Sequence, residues 1–153
     1  MKVDGKPYRT IWLGRDGTTV QVIDQTLLPH RFVVRDLRSM EDAEKAIRTM
    51  IVRGAPLIGA AAAYGMALAM ADDPSDGGLA RAYEVLLASR PTAVNLRWAL
   101  DDLRTLLGPL PAGCISTSKG SSNERRRRRP SWRFDAAAKI ASEIAAGRTG
   151  PPW

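Results

Sequence analysis

The chain reads as an α+β protein, mainly α, in which a small N-terminal antiparallel β element leads into a helical bundle. Three observations predict this. Bulky and polar side chains alternate near the start, from Tyr8 to Leu13 and again from Thr18 to Ile23, which is the period of a strand. Beyond residue 39 the apolar residues recur at helical spacing instead. At 153 residues and 44% hydrophobic, the chain is large enough for one domain with a real core.

Each element has a local reason. Gly14-Arg15-Asp16-Gly17 separates the two alternating runs as a turn, so they form a hairpin. Asp24 to His30 contains Pro29 and reads as a loop, and Phe32-Val33-Val34 is a further short extended piece. Ser39 followed by Asp42 resembles a capping box ahead of Ala43, Ala46, Ile47 and Met50. A second helix is expected from about Pro56 to Ala71, apolar nearly all round and therefore central. Asp72 to Gly78 is a break, Leu79 to Ser89 gives a third helix, and Thr92 is expected to cap a fourth that runs to about Leu107.

Charge divides the chain in two. Residues 1 to 110 hold 14 Lys or Arg against 13 Asp or Glu, while residues 111 to 153 hold 9 against 3, which leaves almost all of the net +7 beyond Leu110. The basic character belongs to the tail, and it gives no ground for a basic surface on the body. Nucleic-acid affinity is therefore confined to non-specific attraction by Arg125, Arg126, Arg127, Arg128 and Arg129. A Ser/Gly-rich stretch from Gly113 to Asn123 precedes that run. A GC-rich alanine stretch read one base out of frame would encode such arginines, so residues 111–153 are expected to be an atypical basic tail, disordered or frameshifted. A short amphipathic helix is expected within it at 135–146.

A single cysteine, Cys114, excludes an internal disulfide or a cysteine-rich metal site and fits a reducing, cytoplasmic setting. No signal-peptide pattern is present, and Ile58 to Ala71 reads as too short and too interrupted by Gly65 to cross a bilayer, so no membrane partner is expected. His30 lacks an orienting partner in sequence and is assigned no catalytic role. Tyr64 and Trp98 read as core aromatics, and Asp101-Asp102 as a solvated helix face, not a metal or acid/base site.

The segment Val52-Arg53-Gly54-Ala55-Pro56-Leu57-Ile58 carries the most chemistry. It sets an arginine, a glycine and a proline where an apolar helix begins. Helix starts expose unpaired N–H groups and a partial positive charge, proline is pre-organised for the first turn, and glycine lets a ligand approach the backbone. The arrangement suits a phosphate, although a plain helix entrance has the same spacing.

Four separated blocks resolve the choice by resemblance: Tyr8-Arg9-Thr10-Ile11-Trp12, Asp24-Gln25-Thr26-Leu27-Leu28-Pro29-His30, Ile51 to Met70, and Arg90-Pro91-Thr92-Ala93-Val94-Asn95-Leu96. In that order they resemble the N-terminal part of methylthioribose-1-phosphate isomerases over roughly the first 110 positions. That family groups with the regulatory subunits of initiation factor 2B and with ribose-1,5-bisphosphate isomerase, the two alternative readings.

The resemblance implies substrate-binding roles for Arg53, Gly54, Ala55 and Arg90. It also implies a sugar-phosphate substrate, no cofactor and no metal, and aldose–ketose isomerisation in methionine salvage. The family's catalytic cysteine and aspartate belong to a C-terminal Rossmann-like domain with no counterpart in these residues. The Thr-His-Cys-Asn context of that cysteine is absent, and Cys114 does not match it. No catalytic residue is therefore assigned here, and the chain alone is expected to be an inactive fragment. Family members are homodimers largely through that second domain, which leaves the assembly of this chain open.

Overall fold

The computed structural model describes residues 2–3, 5–111 and 132–148. Strands β1 (Lys2–Val3) and β2 (Lys6–Pro7) form a two-residue ribbon. Strands β3 (Ile11–Leu13), β4 (Val20–Ile23) and β5 (Val34–Leu37) form an antiparallel sheet in that order. Pairing Ile11 with Val22 and Val20 with Leu37 turns all four inward, where they are buried. On the outer face the paired residues Trp12, Gln21 and Asp36 make a polar ladder: the Trp12 indole donates to Gln21 at 2.9 Å, and the Gln21 amide donates to Asp36 at 3.0 Å.

The expected hairpin turn is built by Asp16. Its carboxylate accepts from the Thr19 hydroxyl and from the Thr19 and Thr18 amides, and these bonds hold its pKa down at about 2. The extended piece expected at Phe32-Val33-Val34 starts later, at Val34. Pairing with β4 opens at Ile23–Val34, while the Val33 carbonyl is taken by the Asp24 amide and the Phe32 ring packs 5.1 Å from that of Tyr8.

Five helices follow: α1 (Met40–Arg48), α2 (Ala55–Asp72), α3 (Asp76–Ser89), α4 (Val94–Leu107) and α5 (Trp132–Ala145). α1 opens on the Ser39–Asp42 capping box read from sequence. α3 begins three residues before its expected start. The Ser75 hydroxyl caps it by accepting from the Gly78 amide at 3.0 Å, which draws Gly77 and Gly78 into the first turn. A Cβ at Gly78 would stand 2.3 Å from the Asp73 carbonyl oxygen, so no larger residue fits. The cap expected at Thr92 is not formed. Ala93 is the N-cap of α4, without a side-chain bond, because the Arg90 carbonyl captures the Ala93 amide in a preceding turn.

α2 is the hub, with α1, α3, α4, α5 and β3 packed around it. Its small residues permit the close approach: a Cβ on Gly65 would lie 3.0 Å from both Ala43 and Leu86. At 18 residues α2 is longer than the stretch read from sequence and has the length and composition of a membrane span. Length thus decides nothing, whereas 72% burial inside the protein is what the central helix of a bundle shows.

α5 is the helix expected at 135–146, three residues longer at its start. It packs into the core through Phe134, Ala137, Ala141 and Ile144, and the Ser142 hydroxyl bonds the buried Tyr64 phenol of α2. Arg133 locks its first turn. The guanidinium is wholly buried and donates to the carbonyls of Leu110, Gly108 and Pro74 and to the Asp76 carboxylate, the last at 2.6 Å. Cys114 and Arg125 to Arg129 lie outside the described residues.

Candidate functional site

The chain reaches α2 through a tight passage. Met50 takes φ +61°, Val52 is buried, and Gly54 is the N-cap of α2 at φ +89°. That angle favours glycine, and a Cβ there would meet nothing within 4 Å, so the position is open to solvent. No side chain caps the helix, its first turn holds no acidic residue, and proline lies at its start. Among the described residues no side chain caps the donors or offsets the partial positive charge of this helix end.

Arg53, Gly54 and Ala55 are all exposed at this mouth. The Arg53 guanidinium makes one long bond, 3.4 Å to the Met50 carbonyl, and no carboxylate pairs with it among the described residues. Its main chain is held differently: the Arg53 amide donates to the Gln25 side chain at 2.7 Å, while the Gln25 amide donates to the Ile51 carbonyl at 2.9 Å. The Asp24 to His30 block is therefore physically joined to the Arg53 block.

Arg90 is the C-cap of α3, so its charge sits at the favourable, carbonyl-rich end of a helix dipole. It is half-buried and forms no ion pair among the described residues. The short turn after Asp72 sets α3 against α2, with Leu86 of α3 against Gly65 of α2. α4 starts against the early part of α2, since a Cβ at Gly59 would lie 3.2 Å from the Asn95 carbonyl oxygen.

The other candidates resolve into structural roles. The Tyr83 hydroxyl donates to Asp101 at 2.6 Å and ties α3 to α4, and that bond raises the phenol's pKa. Tyr64 is buried and Trp98 half-buried, as core aromatics are. A cavity of about 230 Å³ lies at the far end of α2, lined by Arg38, Glu41, Asp72, Asp73 and Arg81. None of the substrate-binding candidates touches it. Among the described residues no cluster of three His, Cys, Asp or Glu could hold a metal ion. Gln25 and Arg133 had no assigned role at the sequence level. Gln25 lies within the Asp24 to His30 stretch, whereas nothing near Arg133 in sequence announces its distant partners.

No family profile matches the chain, but its relatives are clear. A methylthioribose-1-phosphate isomerase of Paramagnetospirillum magneticum is 67% identical over 111 residues, 72% of this chain and 31% of that protein. The isomerase of Methylorubrum extorquens is 49% identical over 155 residues, 99% of this chain and 42% of the relative, so this similarity runs past residue 111 and takes in α5. The crystal structure of 5-methylthioribose 1-phosphate isomerase from Pyrococcus horikoshii superposes with a TM-score of 0.69 at 33% identity, over 93% of this chain and 37% of that one. The delta subunit of translation initiation factor 2B from A. fulgidus gives 0.67 at 30% identity, over 92% and 37%.

Fold and sequence together define a member of the initiation-factor-2B-like family. Within it, the chain is similar to the methylthioribose-1-phosphate isomerases, and it spans 31% and 42% of the length of the two relatives above.

Proposed function

We propose that the chain supplies the substrate-gripping wall of a methylthioribose-1-phosphate isomerase, the enzyme that converts S-methyl-5-thioribose 1-phosphate into 5-methylthioribulose 1-phosphate in methionine salvage. One observation carries the reading: an unpaired arginine beside the uncapped, open N-terminus of the central helix, in a chain whose relatives bear that enzyme's name. A guanidinium fork and backbone N–H groups suit a dianionic phosphate. Arg53, Gly54 and Ala55 would hold the ester, and Arg90 would approach from the end of α3.

The anomeric phosphate ties up C1, so the sugar cannot open as an ordinary aldose does, and hydrogen must pass between C1 and C2 after assisted ring opening. Grip and orientation alone do not accelerate that transfer; an acid/base pair does. The chain carries no match to the family's catalytic cysteine and aspartate contexts, so turnover by these 153 residues alone is not expected.

Binding and catalysis are tested apart. Titrating the chain with methylthioribose 1-phosphate should shift the backbone NMR signals of Gly54 and Ala55, and Arg53→Ala should weaken that binding tenfold or more, about 1.4 kcal/mol. An NMR assay for the ketose should find no product above background. Binding indifferent to Arg53→Ala would overturn the phosphate reading, and ketose formation by the chain alone would overturn its inactivity. Stable capture of a protein partner without sugar-phosphate binding would favour the initiation-factor-like role instead, a reading that the 0.67 superposition supports.

A further inference from the structure

The geometry points to Gln25 as the positioning residue of the Arg53 loop, a role that rests on the phosphate reading above and adds to it a residue outside the substrate-binding set. Three consecutive residues must be fixed if Arg53 and the amides after it are to present donors in one direction. Ile51 is held by the Gln25 amide, Val52 by burial and a bond to the Ala46 carbonyl, and Arg53 by the Gln25 side-chain oxygen at 2.7 Å. Gln25 thus grips the loop at two points two residues apart. Between Met50 and Gly54, both at positive φ, the loop has no regular ladder of its own to keep it in place.

Gln25 is itself anchored. Asp24 is buried at the end of β4, its amide donates to Val33, and its carboxylate accepts from the Thr26 amide and hydroxyl and from Arg35. The sheet, the Asp24–Gln25–Thr26 corner and the mouth of α2 are therefore one connected frame. The choice of glutamine has a chemical reason. The Arg53 amide needs a neutral acceptor, because a carboxylate would accept as well yet set a negative charge beside a seat meant for an anion.

The test uses the full chain with Gln25→Met, which keeps length and removes the acceptor, and Gln25→Glu, which keeps the acceptor and adds charge. Amide hydrogen exchange is followed at Arg53 without ligand, and methylthioribose 1-phosphate is the titrant. Gln25→Met should speed Arg53 exchange at least tenfold and weaken binding about tenfold. Gln25→Glu should leave Arg53 exchange within threefold of the unaltered chain while weakening binding, and added salt should narrow the difference in binding between that variant and the unaltered chain. A merely structural glutamine would not separate these two variants, and Gln25→Glu keeps the comparison intact if Gln25→Met is less stable overall. Unchanged Arg53 exchange in Gln25→Met, or unchanged binding in that variant while Arg53→Ala loses it, overturns the positioning role and leaves the phosphate seat standing. Binding unaffected by Arg53→Ala removes the seat and this inference with it.

Discussion

Two arginines, Arg133 and Arg53, stand at helix ends and have opposite fates. The Arg133 guanidinium is sealed in the bundle and spends its donors on the carbonyls of Leu110, Gly108 and Pro74 and on Asp76. It completes the acceptor-rich end of α4 and is consumed by the fold. Arg53 faces solvent beside the donor-rich end of α2 and makes one bond of 3.4 Å. Two like charges placed so differently show that burial and the count of satisfied donors, not residue type, separate a fold-holding arginine from one free to take a ligand.

The comparison can be broken by removing either residue. Arg133→Ala should have the largest effect, because it removes a wholly buried side chain that bonds three carbonyls and Asp76: about 3–5 kcal/mol of stability, read as a Tm lower by about 10 °C. Gly65→Ala comes next. Its methyl group must push aside Ala43 and Leu86, for a loss of about 1–3 kcal/mol in a urea titration. Gly54→Ala should cost about 1 kcal/mol from backbone strain alone, since the space around it is open, and should also weaken sugar-phosphate binding. Arg53→Ala should change stability by less than about 0.5 kcal/mol while binding falls. Stability and binding should thus trade places between the two arginines; equal loss of stability in both variants would dissolve the contrast.

Acid sharpens the same frame. Burial by itself would raise the Asp24 pKa, but hydrogen bonds from Thr26 and the pairing with Arg35 outweigh it and bring the value below the usual carboxylate range. A carboxylate with a depressed folded-state pKa contributes stability above its unfolded value, about 3.9, and that contribution fades as pH falls through the lower folded value. Acidification below about pH 4 should therefore lower Tm, and Asp24→Asn should flatten part of that fall. If the acid profile is unchanged in the variant, Asp24 does not anchor the corner that holds Gln25.

Much of the fold was legible because its signals are local. The period-two runs, the Ser39–Asp42 box and the apolar stretch after Pro56 each act within a few residues, and each became the element expected. The errors arose where one residue redirected a neighbour. Ser75 recruited two glycines into α3, and the Arg90 carbonyl pre-empted Thr92. At the candidate site, helix-start chemistry left Arg53 and Gly54 open between a phosphate seat and a plain helix entrance, and the resemblance supplied the roles given to Arg53, Gly54 and Ala55, whereas the bond from Gln25 to Arg53 joins residues 28 apart. Arg133 reaches farther still, 57 residues back to Asp76, beyond what composition or period can signal.

That last tether has a consequence for how α4 and α5 hold together. Leu110 and Arg133 are pinned 2.8 Å apart, oxygen to nitrogen, so both ends of the intervening stretch are fixed by the bundle itself. The end of α4 and the start of α5 are thus stapled together by one side chain, so a cut in the chain between them should leave the two helices docked for as long as Arg133 keeps its carbonyls.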